Sequence, residues 1–252
     1  MRLLVSTLLL LTALGSPAAA DPAPLPTGTD VDYQLGGTAD VPDDVGIVVR
    51  DRTEEPAAGR YNICYVNGFQ TQPDARRYWR KHRGLLLQDG RGRLVEDEAW
   101  GEWLLDIRTP AKRARLAKVV GRWTAGCARD GFDAVEYDNL DSFSRSRGLM
   151  RATHAKAFAR MLTAEAHAAG LAAGQKNWAT LDGTRLGFDF AVSEECGRYD
   201  ECGDYVGHFG DQVLVVEYRA RDFAKTCSEH GDLLAVVLRD LDLSPGGVRR
   251  WC

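Results

Sequence analysis

The chain has 252 residues, 44% apolar and 27% charged, with 32 basic against 36 acidic side chains. That composition supplies a core for one large domain or two small ones and excludes an intrinsically disordered chain. No basic patch dominates, which excludes a nucleic-acid partner held through its phosphate backbone.

Residues 1–20 read "MRLLVSTLLLLTALGSPAAA": one early charge at Arg2, an apolar run, then small residues ending in Ala18-Ala19-Ala20. This is the layout of a secretory signal peptide, with cleavage expected before Asp21. The apolar run is short for a bilayer span, so an N-terminal anchor is the weaker alternative. No later segment reads as membrane-crossing, so a secreted, extracellular protein without membrane attachment after cleavage is expected. Loss of Arg2 leaves 31 basic and 36 acidic residues, a net charge of −5.

After a Pro-rich, flexible lead-in over 21–30, short apolar runs follow one another. They cover 31–37, 45–51 and 61–68, then 103–108 and 132–139, then 171–177, 188–195, 212–218 and 233–240. Helices fall between several of them. A short one is expected around "PDARRYWRKH". A long one runs from a Thr109 cap, with Pro110 in its first turn, to Gly131. Another runs from Thr153 to a stop at Gly170, with Phe158, Met161, Leu162 and Ala166 at helical spacing.

Alternating strands and helices, with strands apolar on both faces, predict a parallel sheet covered on both sides. About eight units in ~230 residues fit a single-domain (β/α)8 TIM barrel over 31–252 better than an open sheet. Nine runs compete for eight strands, so one of them is not a barrel strand or the last is an extra. No G-x-G-x-x-G follows the first strand, which argues against a dinucleotide cofactor.

Six cysteines in an oxidising compartment predict three disulfides. Cys196 and Cys202 flank a local loop, Cys227–Cys252 would tie down the C-terminus, and Cys64–Cys127 remains. With no C-x-x-C pair and no ligand spacing among the five histidines, no metal and no other cofactor are expected.

Polar groups collect where the strands end: Gln34; Asp51; Asn67; Asp106 and Arg108; Glu136, Asp138 and Asn139; Lys176 and Asn177; Glu194 and Glu195; Glu217 and Tyr218. In such barrels the C-terminal strand ends build the active site. Strand alternation lets Glu136 and Asp138 share a face while Tyr137 turns to the helices, and only one of Glu194 and Glu195 can point inward. Carboxylates from two strands suit glycoside hydrolysis, one giving a proton and the other acting as nucleophile or base. Tyr33, Tyr65, Trp100, Trp103, Trp178 and Tyr218 could stack on sugar rings. Asp106 and Arg108 read equally well as an internal ion pair. No G-x-S-x-G elbow points to a serine hydrolase.

In order, "YQLGG", "ICYVNG", "WGEWLLDIR", "GFDAVEYDNLDSF", "AHAAGLAAGQKN", "FDFAVSEECGRYDEC" and "VLVVEY" resemble glycoside hydrolase family 114, the endo-α-1,4-polygalactosaminidase-like enzymes, over roughly residues 31–252. The resemblance implies a secreted (β/α)8 barrel that cuts α-1,4-linked galactosamine polymers. It places the catalytic pair at Asp138 of "EYDN" and Glu195 of "SEEC". It makes Glu136, Lys176, Asn177 and Glu217 substrate or supporting groups, to which Gln34, Asn67, Asp106, Arg108, Asn139, Glu194 and Tyr218 are added by position. Two loops depart from the family pattern, "FQTQPDARRYW" after "CYVNG" and "WATLDG" after "QKN". They keep open a barrel glycosidase for another glycan, or a barrel that binds polysaccharide without cutting it. Nothing in the sequence asks for more than a monomer.

Overall fold

The computed structural model describes residues 22–252; the signal-peptide segment 1–20 lies outside them. In chain order the elements are β1 (Asp30–Gln34), β2 (Val45–Asp51), β3 (Tyr61–Asn67), α1 (Arg76–Lys81), β4 (Glu96–Asp97), β5 (Glu102–Trp103), α2 (Pro110–Asp130), β6 (Ala134–Asp138) and α3 (Ala152–Ala168). They continue with β7 (Ala172–Lys176), β8 (Phe190–Glu194), α4 (Cys196–Tyr199), α5 (Cys202–Phe209), β9 (Val213–Glu217), α6 (Ala220–His230), β10 (Ala235–Arg239) and β11 (Arg249–Trp251).

Eight strands run parallel in the order β1-β2-β3-β6-β7-β8-β9-β10, and β11 adds to β10 antiparallel. β10 also lies beside β1. The Trp251 indole N–H on β11 donates to the Val31 carbonyl on β1 at 2.7 Å. The sheet thereby curls into a nearly closed (β/α)8-type barrel. Helices are missing after β1 and β2, where residues 35–44 and 52–60 are loops.

The surplus strand is the run 103–108. Glu102–Trp103 pairs with Glu96–Asp97 in a side hairpin, and Leu104 and Leu105 make only isolated bridges to Gln70 and Leu86, none of them to a barrel strand. Leu104, Leu105 and Ile107 are buried in the helix-side core rather than in the barrel. An apolar run of strand length is all that periodicity sees, and a buried loop segment supplies the same run.

The local rules hold where they were strongest. Thr109 caps α2, its Oγ1 accepting from Lys112 N, and Gly131 closes the helix in the left-handed region at φ 95°. Inside the barrel, Val31, Tyr33, Ile47, Val49, Ile63, Phe190, Val192 and Val216 pack together. Gly174 of β7 allows this layer to close, since a Cβ there would meet the Phe190 ring at 2.5 Å. Outside, the opposite strand faces pack on the helices. The three disulfides are Cys64–Cys127, joining β3 to α2; Cys196–Cys202, joining α4 to α5; and Cys227–Cys252, joining α6 to the C-terminus. At the opposite end of the barrel from the carboxyl strand ends, Leu25 of the lead-in is buried, its N–H donating to Gln212 Oε1 at 3.0 Å. No helix among the described residues is long and apolar enough to cross a membrane.

Candidate active site

Because the eight strands are parallel, their carboxyl ends meet at one mouth. A cavity of about 480 Å³ opens there, lined by Tyr65, Glu102, Asp138, Asn139, Arg145, Lys176, Asn177, Glu194 and Tyr218 among others. Alternation from the apolar inner layer explains the set. Ala134 of β6 faces inward, so Glu136 and Asp138 follow on the same face. Val192 of β8 brings in Glu194, and Val216 of β9 brings in Tyr218.

Lys176 is the hub. Its side chain is 1% exposed, yet its Nζ lies 3.3 Å from Glu194 Oε2, 3.8 Å from Glu136 Oε1 and 3.9 Å from Asp138 Oδ2. It also donates to the Tyr33 hydroxyl at 2.8 Å. Burial pushes the ammonium toward neutrality, but Asp138, Glu194 and Glu136 outweigh it and hold the proton on. Asp138 accepts from the Tyr65 hydroxyl and from its neighbour Asn139 N, each at 2.7 Å. Glu194 accepts from the Tyr218 hydroxyl and from Asn177 Nδ2. Burial raises the Glu194 carboxyl, but Lys176, Tyr218 and Asn177 together leave it below the usual carboxylate range. Through their shared lysine, Asp138 Oδ2 and Glu194 Oε2 lie no more than about 7 Å apart, below the upper limit that glycosidase carboxyl pairs reach.

Glu136 lies deeper and does not line the cavity. It is fully buried, its Oε1 accepts from Tyr33, and its Oε2 has no partner. Burial pushes its carboxyl up to about 7 against the pull of Lys176.

Where β6, β7 and β8 end, the backbone turns through left-handed φ at Asn139 (65°), Asn177 (55°), Trp178 (66°) and Glu195 (59°). Non-glycine residues held there are strained, and such strain gathers at sites of chemistry.

Several expected site residues stand elsewhere. Glu195 does not join Lys176. It follows the last inward residue of β8, begins α4 and pairs with Arg198 at 2.7 Å, beside a second cavity of about 470 Å³. Glu194 takes the place beside Lys176 instead. Glu217 faces away from the mouth, accepting from Gly197 N at 2.7 Å and Thr226 Oγ1 at 3.1 Å, and so fastens α4 and α6 to β9. Asp106 is buried in an ion pair with Arg108 and Lys112 at the start of α2, outside both cavities. Gln34 lies on the far side of β1 from Tyr33, bonded to Asp32 and Arg50. Asn67 supports the site, donating to Glu102 Oε2 at 2.8 Å and accepting from Asn139.

Glu102 and Arg145 escaped the strand-end reading. Glu102 arrives from the side hairpin, and Arg145 from the turn after β6, where it pairs with Asp97 and Asp141. The only signal for Glu102 was its place in "WGEWLLDIR".

Compared with known proteins, the sequence profile of glycoside-hydrolase family GH114 matches residues 13–252. No curated protein sequence matches the chain. Among solved structures, Ega3 of Aspergillus fumigatus in complex with galactosamine superposes with a TM-score of 0.74 at 21% identity, covering 94% of this chain and 100% of that one. The glycoside hydrolase domain of PelA from Pseudomonas aeruginosa superposes at 0.57 and 16% identity, covering 88% of this chain and 98% of that one. A variant of that PelA domain superposes at 0.60 and 15% identity over the same shares. These structures share the barrel, and the profile spans nearly the whole sequence: the chain belongs to glycoside-hydrolase family GH114.

Proposed function

We propose that this protein cuts within an α-1,4-linked, galactosamine-containing polysaccharide, with Asp138 and Glu194 as its carboxylate pair. The observation that carries this is the placement of both carboxylates, from β6 and β8, on one buried lysine in the mouth cavity. Family membership supplies the reaction class. The galactosamine bound to Ega3 supplies the sugar.

In this reading, one carboxyl of the pair protonates the glycosidic oxygen as its bond to the anomeric carbon breaks. The other meets that carbon directly or activates the water that does. Lys176 Nζ lies between the two carboxyl groups and offsets the negative charge they bring to one site. The Tyr65 and Tyr218 hydroxyls fix the carboxylate planes. The two cavities share Trp100, Asn177, Glu194 and Tyr218, so a chain can pass through the mouth with units on both sides of the cut. The three disulfides support action in an oxidising compartment, and residues 1–20 would direct export.

One observation favours a different glycan. The loops that depart from the family pattern line the cavities, Gln72 and Pro73 in the first and Trp178, Ala179 and Thr180 in the second. The test is digestion of partly deacetylated α-1,4-galactosamine polymer by residues 21–252, beside the Glu194→Gln variant, read by mass spectrometry. Oligomers from the wild type alone support the proposal. None from either, with the fold intact by circular dichroism, rejects this substrate, and a panel of other α-linked glycans then decides whether the barrel cuts at all.

A further inference from the structure

We infer that Glu102 is a specificity-determining residue that receives the free amino group of the bound sugar. This deepens, and rests on, the proposed action on an amino-sugar polymer.

The argument starts from which carboxylates in the mouth already have partners. Asp138 and Glu194 share Lys176. Asp97 and Asp141 share Arg145, at 2.7 and 2.8 Å. Asp51 is held by Thr53 and by Gln72 Nε2 at 2.6 Å. Asp242 sits exposed at the rim, where water serves it. Glu102 stands apart: it lines the same cavity, is half-buried, and forms no ion pair among the described residues. Asn67 Nδ2 fixes its Oε2 at 2.8 Å. Its Oε1 meets no donor among the described residues.

A half-buried carboxylate, oriented by an amide, open to the cavity through one oxygen and lacking a cation is poorly compensated. Burial pushes Glu102 up to about 7, with Asp138 and Asp97 adding to the rise and Asn67 and Arg145 opposing it. A sugar ammonium beside Oε1 would supply the missing charge and donor in one group. An N-acetyl group carries neither the charge nor three N–H donors, so the residue selects deacetylated units.

The residue is held where it can do this. β5 ends the side hairpin, and Asn67, at the end of β3, bridges from Glu102 to Asn139 beside Asp138. The sugar that meets the catalytic pair would therefore meet Glu102 as well.

The experiment is calorimetric titration of residues 21–252 with galactosamine, galactose and N-acetylgalactosamine at pH 7, for the wild type and Glu102→Gln. Galactosamine should bind the wild type about 10–100-fold tighter than the two neutral sugars, the range of a charge-assisted hydrogen bond. The variant, isosteric and uncharged, should bind all three alike. The wild type should also release protons on binding galactosamine, seen as a heat that varies with buffer, because the ammonium displaces the proton held on Glu102. A variant that keeps the preference overturns the inference, as does a wild type without one. Oligomer release by the wild type is scored separately, so the proposed reaction can stand while this role for Glu102 falls.

Discussion

Two buried ion clusters sit in this barrel, and their charge balances differ. At the mouth one lysine faces three carboxylates, Glu136, Asp138 and Glu194. At the seam where β10 and β11 approach β1, two carboxylates meet two arginines: Asp32 lies 2.8 Å from Arg249 and 3.6 Å from Arg239, and Asp240 lies 3.9 Å from Arg239. The remaining N–H groups of the seam's arginines end on backbone carbonyls, Arg239 on Val248 and Ser244 and Arg249 on Asp40. The mouth's surplus anions end on an open cavity. A buried charge alone therefore does not mark a site. An unneutralised excess of one sign against open space does, because only there can a ligand complete the balance.

Substitutions can break this contrast. The largest effect on catalysis is expected from Asp138→Asn and Glu194→Gln. Each should lower kcat about 10³-fold, as loss of an acid–base group does, with the melting temperature little changed. Reducing-end release and thermal melts check this; full activity in either variant would remove that residue from the pair. Asp32→Asn should do the reverse. It takes from buried Arg239 the nearer of its two anions, leaving Asp240 at 3.9 Å, and should cost about 3 kcal/mol in urea unfolding, while kcat of the folded fraction stays unchanged. A matching loss of kcat would erase the distinction between the clusters. Replacing Cys227 and Cys252 together by serine frees the strand that closes the seam. For a 25-residue separation the cost is about 3 kcal/mol, again with kcat unaffected.

Smaller effects sharpen the contrast. Burial holds the Glu136 proton up to about pH 7 in the folded chain, against about 4.3 when unfolded. The folded state binds the extra proton between those values, so its contribution to stability is full below the lower one and is lost as pH rises through the upper one. Glu136→Gln should remove one proton's slope from a plot of unfolding free energy against pH in that window. Glu102, also pushed to about 7, keeps its own share. An unchanged slope would mean Glu136 is ionised in the fold. The smallest effect is expected from Glu195→Gln, within about threefold of wild-type kcat, since Arg198 holds that side chain away from Lys176. A loss as deep as that of Glu194→Gln would return Glu195 to the chemistry.

The opening of the site was legible wherever a rule was local. Glu136 and Asp138 flank Tyr137, and the tyrosine does turn outward, its hydroxyl meeting Thr124 of α2 and the Leu162 carbonyl of α3. The Thr109 cap, the Gly131 stop and the loop closed by Cys196 and Cys202 follow from spacing of a few residues. The phase of a strand buried on both faces was not legible. "FAVSEE" and "VLVVEY" are apolar in both registers, so nothing local says that Val192 and Val216 face the barrel axis. That phase separates Glu194 from Glu195 and sends Glu217 behind the sheet.

By itself, then, the sequence determined the strand and helix alternation, the cysteine pairs and the supply of carboxylates to one end of a barrel. Each follows from periodicity, capping or residue type within a short window, except Cys64–Cys127, which was the pair left over. The tertiary structure decided which carboxylates meet. It set aside the run 103–108 as a hairpin arm, brought Glu102 from that arm to the cavity, and put Lys176 among residues from three strands. Those choices depend on how β6, β7 and β8 stagger around the barrel and on where each strand ends, distances in space that no local pattern of residues encodes.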